Sequence, residues 1–515
     1  MKNPASDNIS RRDLMQIAGG ITFFALAPIG FAGPESKAGM REKPSFAGKA
    51  IPVFTAMPYL QPGPGGAMPN DGEESITIAW QTNAVKATYA LSFGEKGFTE
   101  SAIVSQINAQ GKGKEFEGRI NHTAVLTGLK LNRKYKYQVL MNGERLLEGF
   151  FTTRKGPGSA VRFVSFGDNS FGDISDRAIA YEAYRAKPDF IMNTGDLVYE
   201  SGLDNEYARY FFPVYNADEA GRRIGAPLLR SVPLYSVIAN HDVEGKDDKK
   251  HPVADFTKNP DSLGYYTNLH LPGNGPTDPT YPTPIIGPDD VIGLFKNAAG
   301  RRFPSQANYS FDYGDAHFLC LDSNIYVDPT DSSLQTWIER DLSLSTAPWK
   351  FVVYHHPAFN VGDDHYTVQH MRVLSPLFEK HGVQMVFSGH EHNYQRSRPI
   401  RFAPGDLTKA KELNTSKRLV PGEFIIDRNH DGKSKTKADG IVYIVTGAGG
   451  KHLYDPEQND DPATWLHKED NNADYVVKMI TDRHSLTVID LDRTTLVLRQ
   501  IDEWGNEIDR MTLTR

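Results

Sequence analysis

"VRFVSFGDNSFGDISDRAIAYEAYRAKPDFIMNTGDLVYE", residues 161–200, decides the fold. Residues 161–168 form a continuous apolar run that ends in Asp168. Residues 174–187 then switch to helical spacing, and 188–196 form a second apolar run that ends in Asp196. An unbroken apolar run is the pattern of a strand buried on both faces, and strand, helix, strand in succession predicts a parallel α/β sheet. The same ending recurs downstream. "VPLYSVIANHD" (232–242) closes on Asn240 and His241, and "WKFVVYHHP" (349–357) closes on His355 and His356. "VQMVFSGHEH" (383–392), after a helix-like "MRVLSPLFEK" (371–380), closes on His390 and His392. Five strands of buried type thus deliver Asp, Asn or His to the carboxyl edge, where open α/β sheets place their sites.

One Asp after a strand is ordinarily a turn residue or helix cap, and one His near a turn is ordinarily polar surface. Five strand ends in series, made only of metal-ligating types, predict a metal centre. Carboxylates, an amide oxygen and imidazoles without thiolate suit hard to borderline ions. The donors are too many for one tetrahedral zinc and include a carboxylate able to bridge, so two metals ~3.5 Å apart are expected. The formal charge of −7 supplies no basic field for nucleic acid or an anionic membrane. Two cations would provide the positive charge that an anionic substrate needs.

The motifs also resemble a known family. "GDNS" (167–170), "GDLVY" (195–199), "ANHD" (239–242), "VVYHHP" (352–357) and "GHEH" (389–392) are similar to the five ordered blocks of the calcineurin-like metallophosphoesterases. Tyr199 and the ending "GHEHNYQR" (389–396) resemble the purple acid phosphatases more narrowly, and the resemblance spans roughly residues 60 to 510. It implies that Asp168, Tyr199 and His392 hold an iron(III), that Asn240, His355 and His390 hold a divalent iron, zinc or manganese, and that Asp196 bridges both. His356 is then a neighbour of the ligand set. His241 would hydrogen-bond phosphate or protonate the leaving oxygen, and His365 would stand over the site, with His370 as its competitor. Two positions depart from the pattern: Ser170 and Ala239 stand where glycine is usual. The implied activity is an acid phosphatase that hydrolyses a phosphorylated small molecule, a phosphomonoester, through a metal-bound hydroxide. A phosphodiesterase or nucleotide hydrolase on the same centre is the alternative, and a non-catalytic surface binding protein is the third reading.

Upstream, 51–153 carries short β runs separated by turn residues: 76–83, 87–94, 122–129, 134–140 and 148–154. This spacing is that of a β-sandwich, and "TGLKLNRKYKYQV" (127–139) is similar to the end of a fibronectin type III module. The predicted architecture is therefore an N-terminal fibronectin type III-like β-sandwich followed, over 161–515, by a four-layer α/β/β/α sandwich. The runs 440–450, 485–492 and 494–502 are expected to build its second sheet.

Arg11 and Arg12, with the apolar stretch that follows, resemble a twin-arginine export signal over 1–32, ahead of a linker at 33–50. The expectation is a periplasmic or extracellular protein handled by the twin-arginine machinery, with no transmembrane anchor in the mature chain. The single cysteine, Cys320, excludes an intrachain disulfide and reads as a buried, inert thiol. The Pro- and Gly-rich stretch 243–308 is expected to form a rim over the site. "DRNHDG" (427–432) opens like a calcium loop, but Ala438 replaces the closing Glu, so an Asx-rich turn is expected.

Overall fold

The computed structural model describes residues 54–63, 72–108, 119–243, 259–276, 289–303, 305–407, 419–467 and 474–515. The export signal, the linker and much of the 243–308 stretch lie outside the described residues. No helix among the described residues is long and apolar enough to cross a membrane.

The N-terminal module is a β-sandwich. One sheet orders Phe54–Gln61, Glu73–Asn83, Arg119–Lys130 and Val104–Asn108; the other orders Glu100–Ala102, Tyr89–Gly94, Lys134–Met141 and Glu144–Thr152. All pairs are antiparallel. Lys134–Met141 shows why this sequence makes such a sheet: its tyrosines and apolar residues alternate with lysines and glutamine, and Tyr135, Tyr137, Val139 and Met141 are buried. The strands Phe54–Gln61, Glu100–Ala102 and Val104–Asn108 carry no clear alternation between apolar and polar residues, and sequence reading passed over them.

The second module has two facing sheets. The first orders Leu234–Ser236, Phe190–Asn193, Val161–Phe166, Ser485–Leu491, Thr495–Asp502 and Glu507–Thr514. The second orders Tyr309–Tyr313, Ala316–Cys320, Trp349–Val353, Met385–Ser388, Val442–Thr446, Tyr394–Ser397 and Val476–Ile480. The strands that carry the predicted donors are parallel within each sheet. They are nevertheless divided, three in the first sheet and two in the second. The C-terminal runs are divided as well, which corrects the expectation that they share one sheet. Ser485–Leu491 and Thr495–Asp502 extend the first sheet, and Val442–Thr446 joins the second. Apolar runs announce strands, but partners far apart in sequence choose the sheet.

Aromatic packing joins the two layers. Phe163 of the first sheet stands 5.3 Å from Phe318, 6.1 Å from Phe351 and 5.8 Å from Phe387 of the second, ring centre to ring centre. All four rings are fully buried, and truncating such a residue to Ala costs about 3–5 kcal/mol. Helix Ile174–Ala186 covers the first sheet, and Ser332–Leu344 packs on the second. Asp331 caps the latter by accepting from the N–H groups of Ser333 and Leu334. The predicted helix at 371–380 begins as a 3₁₀ segment, His370–Leu374, and becomes α-helical only over Ser375–Lys380, where Pro376 occupies the first turn.

The modules are tied by buried polar contacts. Arg119 pairs with Asp204, Arg154 pairs with Glu74 and donates to Asp312 O, and Tyr59 Oη donates to Asn268 O at 2.9 Å.

Candidate metal centre

Asp168, Asp196, Asn240, His355 and His390 follow the carboxyl ends of their strands, in loops that bond to one another. Asp168 N donates to Gly195 O, Asn169 N to Asp196 O, and Gly389 N to His355 O. The Asp242 carboxylate accepts from the N–H groups of Asp196, Leu197 and Ala239, locking two strand ends together. Asp168, Asp196 and His390 all adopt left-handed backbone, with φ of 57°, 50° and 66°. Each costs an L-residue roughly 1–2 kcal/mol, and such outliers cluster at functional sites. Gly389 is required for space, because a Cβ there would run into Asp168 Oδ2 and stand 2.9 Å from Thr194 Oγ1.

The result is a buried cluster of donors. Tyr199 Oη lies 3.2 Å from Asp168 Oδ1 and 3.2 Å from His392 Nε2. Donor atoms of Asp196, His355 and His390 all lie within 4.8 Å of one another. Asp196 Oδ2 belongs to both groups: it is 3.1 Å from Tyr199 Oη and 3.3 Å from His355 Nε2. His241 N donates to Asp196 Oδ1 at 2.9 Å, which sets the neighbouring Asn240 beside the same carboxylate. Asn240 Oδ1 is buried with no hydrogen-bond partner among the described residues, as a donor atom reserved for a cation would be. Partners behind the imidazoles fix their orientation. His355 Nδ1 donates to Thr194 O at 2.8 Å and His392 Nδ1 to His452 O at 2.7 Å, which turns each Nε2 toward the carboxylates.

The electrostatics point the same way. Burial alone would lower the His355 pKa, but the carboxylates of Asp196 and Asp168 outweigh it and raise it to about 9. Burial opposes ionisation of Asp196, yet His355 and His241 hold its carboxyl well below the usual range. Tyr199 is pushed well above the ordinary tyrosine value by burial and by the charges of Asp196 and Asp168. Two buried carboxylates facing a phenol and imidazoles make a pocket of negative potential, and a multivalent cation would relieve it.

Residues 162–394 match the family model of the calcineurin-like phosphoesterases, and residues 67–154 match that of the purple acid phosphatase N-terminal domain. The chain thus carries a calcineurin-like phosphoesterase domain preceded by a purple acid phosphatase N-terminal domain. An uncharacterized protein of Mycobacterium tuberculosis is 24% identical over 441 residues, covering 76% of this chain and 72% of that one. Purple acid phosphatase 17 of Arabidopsis thaliana is 25% identical over 282 residues, covering 52% of this chain and 72% of its own length. Among solved structures, purple acid phosphatase PPD1 from yellow lupin (Lupinus luteus) seeds superposes with a TM-score of 0.61 at 17% identity, covering 90% of this chain and 74% of that one. This last likeness is one of fold.

The other predicted residues fall as follows. His241 is partly exposed, with Nδ1 donating to Glu200 O at 2.6 Å and its ring 4.5 Å from that of Tyr199. His365 stacks on His390 at 3.8 Å, whereas its competitor His370 is buried with Nε2 on Ser323 O. His356 packs behind the cluster, with Nδ1 2.9 Å from Ser323 Oγ and its ring 4.3 Å from that of His390. Ser170 adopts φ of 53°, the conformation that glycine takes freely, and is held there by Asn169 Nδ2 and Asp176. The Ala239 methyl packs toward Gly195. Cys320 is buried, and burial raises its thiol pKa. Asp427 and Asp431 accept from the backbone N–H groups that follow them, forming an Asx-rich turn.

Sequence reading missed the loop "GAGGKHLYD" (447–455), which follows Val442–Thr446. Lys451 N donates to Asp168 O, His452 O orients His392, and Tyr454 stacks on His392 at 3.9 Å. The signal was present: another apolar run closing on glycines and polar residues, like the five before it, but without a carboxylate or histidine directly at its end.

Proposed function

We propose that the chain is an exported acid phosphatase that hydrolyses phosphomonoesters at a dinuclear centre. Asp168, Tyr199 and His392 would hold iron(III), Asn240, His355 and His390 would hold a divalent ion, and Asp196 would bridge. The observation that carries this reading is the shared position of Asp196 Oδ2, within 3.3 Å of donors from both groups. When bound, two such ions supply Lewis acidity toward phosphoryl oxygens and lower the pKa of water to about 7. The protein's part is to hold the donors in place before substrate arrives. His241, fixed through Nδ1–H on Glu200 O, would when protonated donate its Nε2–H to a phosphoryl oxygen or pass that proton to the leaving oxygen. His365, stacked on His390, would meet the same substrate. The arginine pair at 11–12 supports export in the folded state by the twin-arginine route, to the periplasm or outside the cell.

The test combines metal analysis, a visible spectrum and paired assays on a phosphomonoester and a phosphodiester. Iron with a second metal, a violet to pink band and faster monoester turnover are expected. Faster diester turnover would move the assignment to the phosphodiesterase reading, and no hydrolysis with both metals loaded would revive a binding role.

A further inference from the structure

Lys451 is almost fully buried, yet its ammonium is enclosed largely by aromatic rings. Nζ lies 3.5 Å from the Phe171 ring centre and 4.4 Å from that of Tyr199, and it forms an ion pair with Glu200. A buried ammonium is unfavourable unless paired, and an aromatic face offers partial compensation through its negative quadrupole. Glu200 also reaches His241, because its main-chain carbonyl accepts the Nδ1–H of that ring. One lysine thus touches a proposed metal ligand directly and a proposed substrate-contacting histidine through a single intermediary.

We propose that Lys451 is a positioning residue, a fixed positive charge that sets the electronic state of the Tyr199 ring and, through Glu200, the orientation of His241. The proposal rests on the reading of Tyr199 as an iron(III) ligand. A phenolate ring carries more negative charge than a phenol ring, so a cation over its face lowers the energy of its filled orbitals. Moving an electron from the ring to iron(III) then takes more energy, and the charge-transfer band lies at shorter wavelength than it would without Lys451. Glu200 opposes this effect by partly neutralising the ammonium.

The holoenzyme tests the proposal with variants whose signs differ. Lys451→Met should move the band to longer wavelength, Lys451→Arg should hold it near the wild-type position, and Glu200→Gln should move it to shorter wavelength. Simple loosening of the loop cannot produce opposite shifts. Glu200 has a largely exposed side chain, so that variant serves even where Lys451→Met fails to fold. An unmoved band in metal-replete Lys451→Met or Glu200→Gln overturns the proposal. A colourless wild type would overturn the iron–tyrosine reading instead, and the nitrogen-15 shifts of the His241 imidazole in the protein as purified then decide. A mixture of tautomers in Lys451→Met, against a single Nδ1–H form in wild type, supports the positioning role; an unchanged single form overturns it.

Discussion

Tyr199 Oη stands within 3.2 Å of Asp168, Asp196 and His392, with a lysine over its ring. Tyr199→Phe removes one oxygen from this group and leaves the ring packing unchanged, so the expected outcome is loss of the visible band with a thermal midpoint close to wild type. His241→Ala should lower kcat by about 100-fold while metal content by elemental analysis is retained, because in the proposed role the imidazole acts on substrate, and its backbone N–H, which survives, is what touches Asp196. Loss of metal in that variant would remove His241 from the proposed role. Gly389→Ala makes the complementary case. The added methyl meets Asp168 Oδ2, Thr194 Oγ1 and the His355 ring, so a metal deficit and a loss of about 1–3 kcal/mol are expected in denaturant unfolding, although every donor remains.

Strands and their terminal loops show how much of the site the sequence made legible. The five strand ends could be read because buried strands are apolar and their last residues are not; Asp168, Asp196, Asn240, His355 and His390 all stood at that break. His392, two residues beyond His390, was read with it, whereas Tyr199 lies further along its loop and was given its ligand role only through family resemblance. The loop at 447–455 stayed hidden because it works through carbonyls, a ring face and a lysine, none of which marks a sequence as ligand-bearing. The division of the ligand strands between two sheets was equally hidden, since register and sheet membership depend on partners far apart in the chain. Strand Ala316–Cys320 carries a separate consequence. His317 bridges Asp312 at 2.6 Å and Asp341 at 2.9 Å, and although burial disfavours its charge, the two carboxylates raise its pKa from the ordinary 6.5 to about 9. A raised folded-state pKa means that this stabilisation is complete below pH 6.5 and lost as pH rises through about 9. His317→Gln should therefore flatten the decline in urea midpoint over that interval, with at most about 3 kcal/mol at stake.

Across the whole molecule, the two modules meet through charges that neither could bury alone. The side chains of Arg119 and Asp204 are 3% and 2% exposed, and Asp204 also accepts from Asn268 Nδ2. Arg119→Met should cost about 3–5 kcal/mol by stranding that carboxylate, and calorimetry should turn one unfolding transition into two. The paired change Arg119→Met with Asp204→Leu should recover most of the loss. The proposed metals bear on the molecule at the same scale. Asp168, Asp196 and Asn240 hang from one sheet, and His355, His390 and His392 from the other, with roughly 160 residues of chain between Asp196 and His355. Ions held by both groups would be an inorganic cross-link in a chain whose single cysteine allows no disulfide within it. By the entropy of closing so long a loop, such a link is worth about 5 kcal/mol against unfolding. Unlike a disulfide, it would form by ligation of donors already in place rather than by oxidation of thiols.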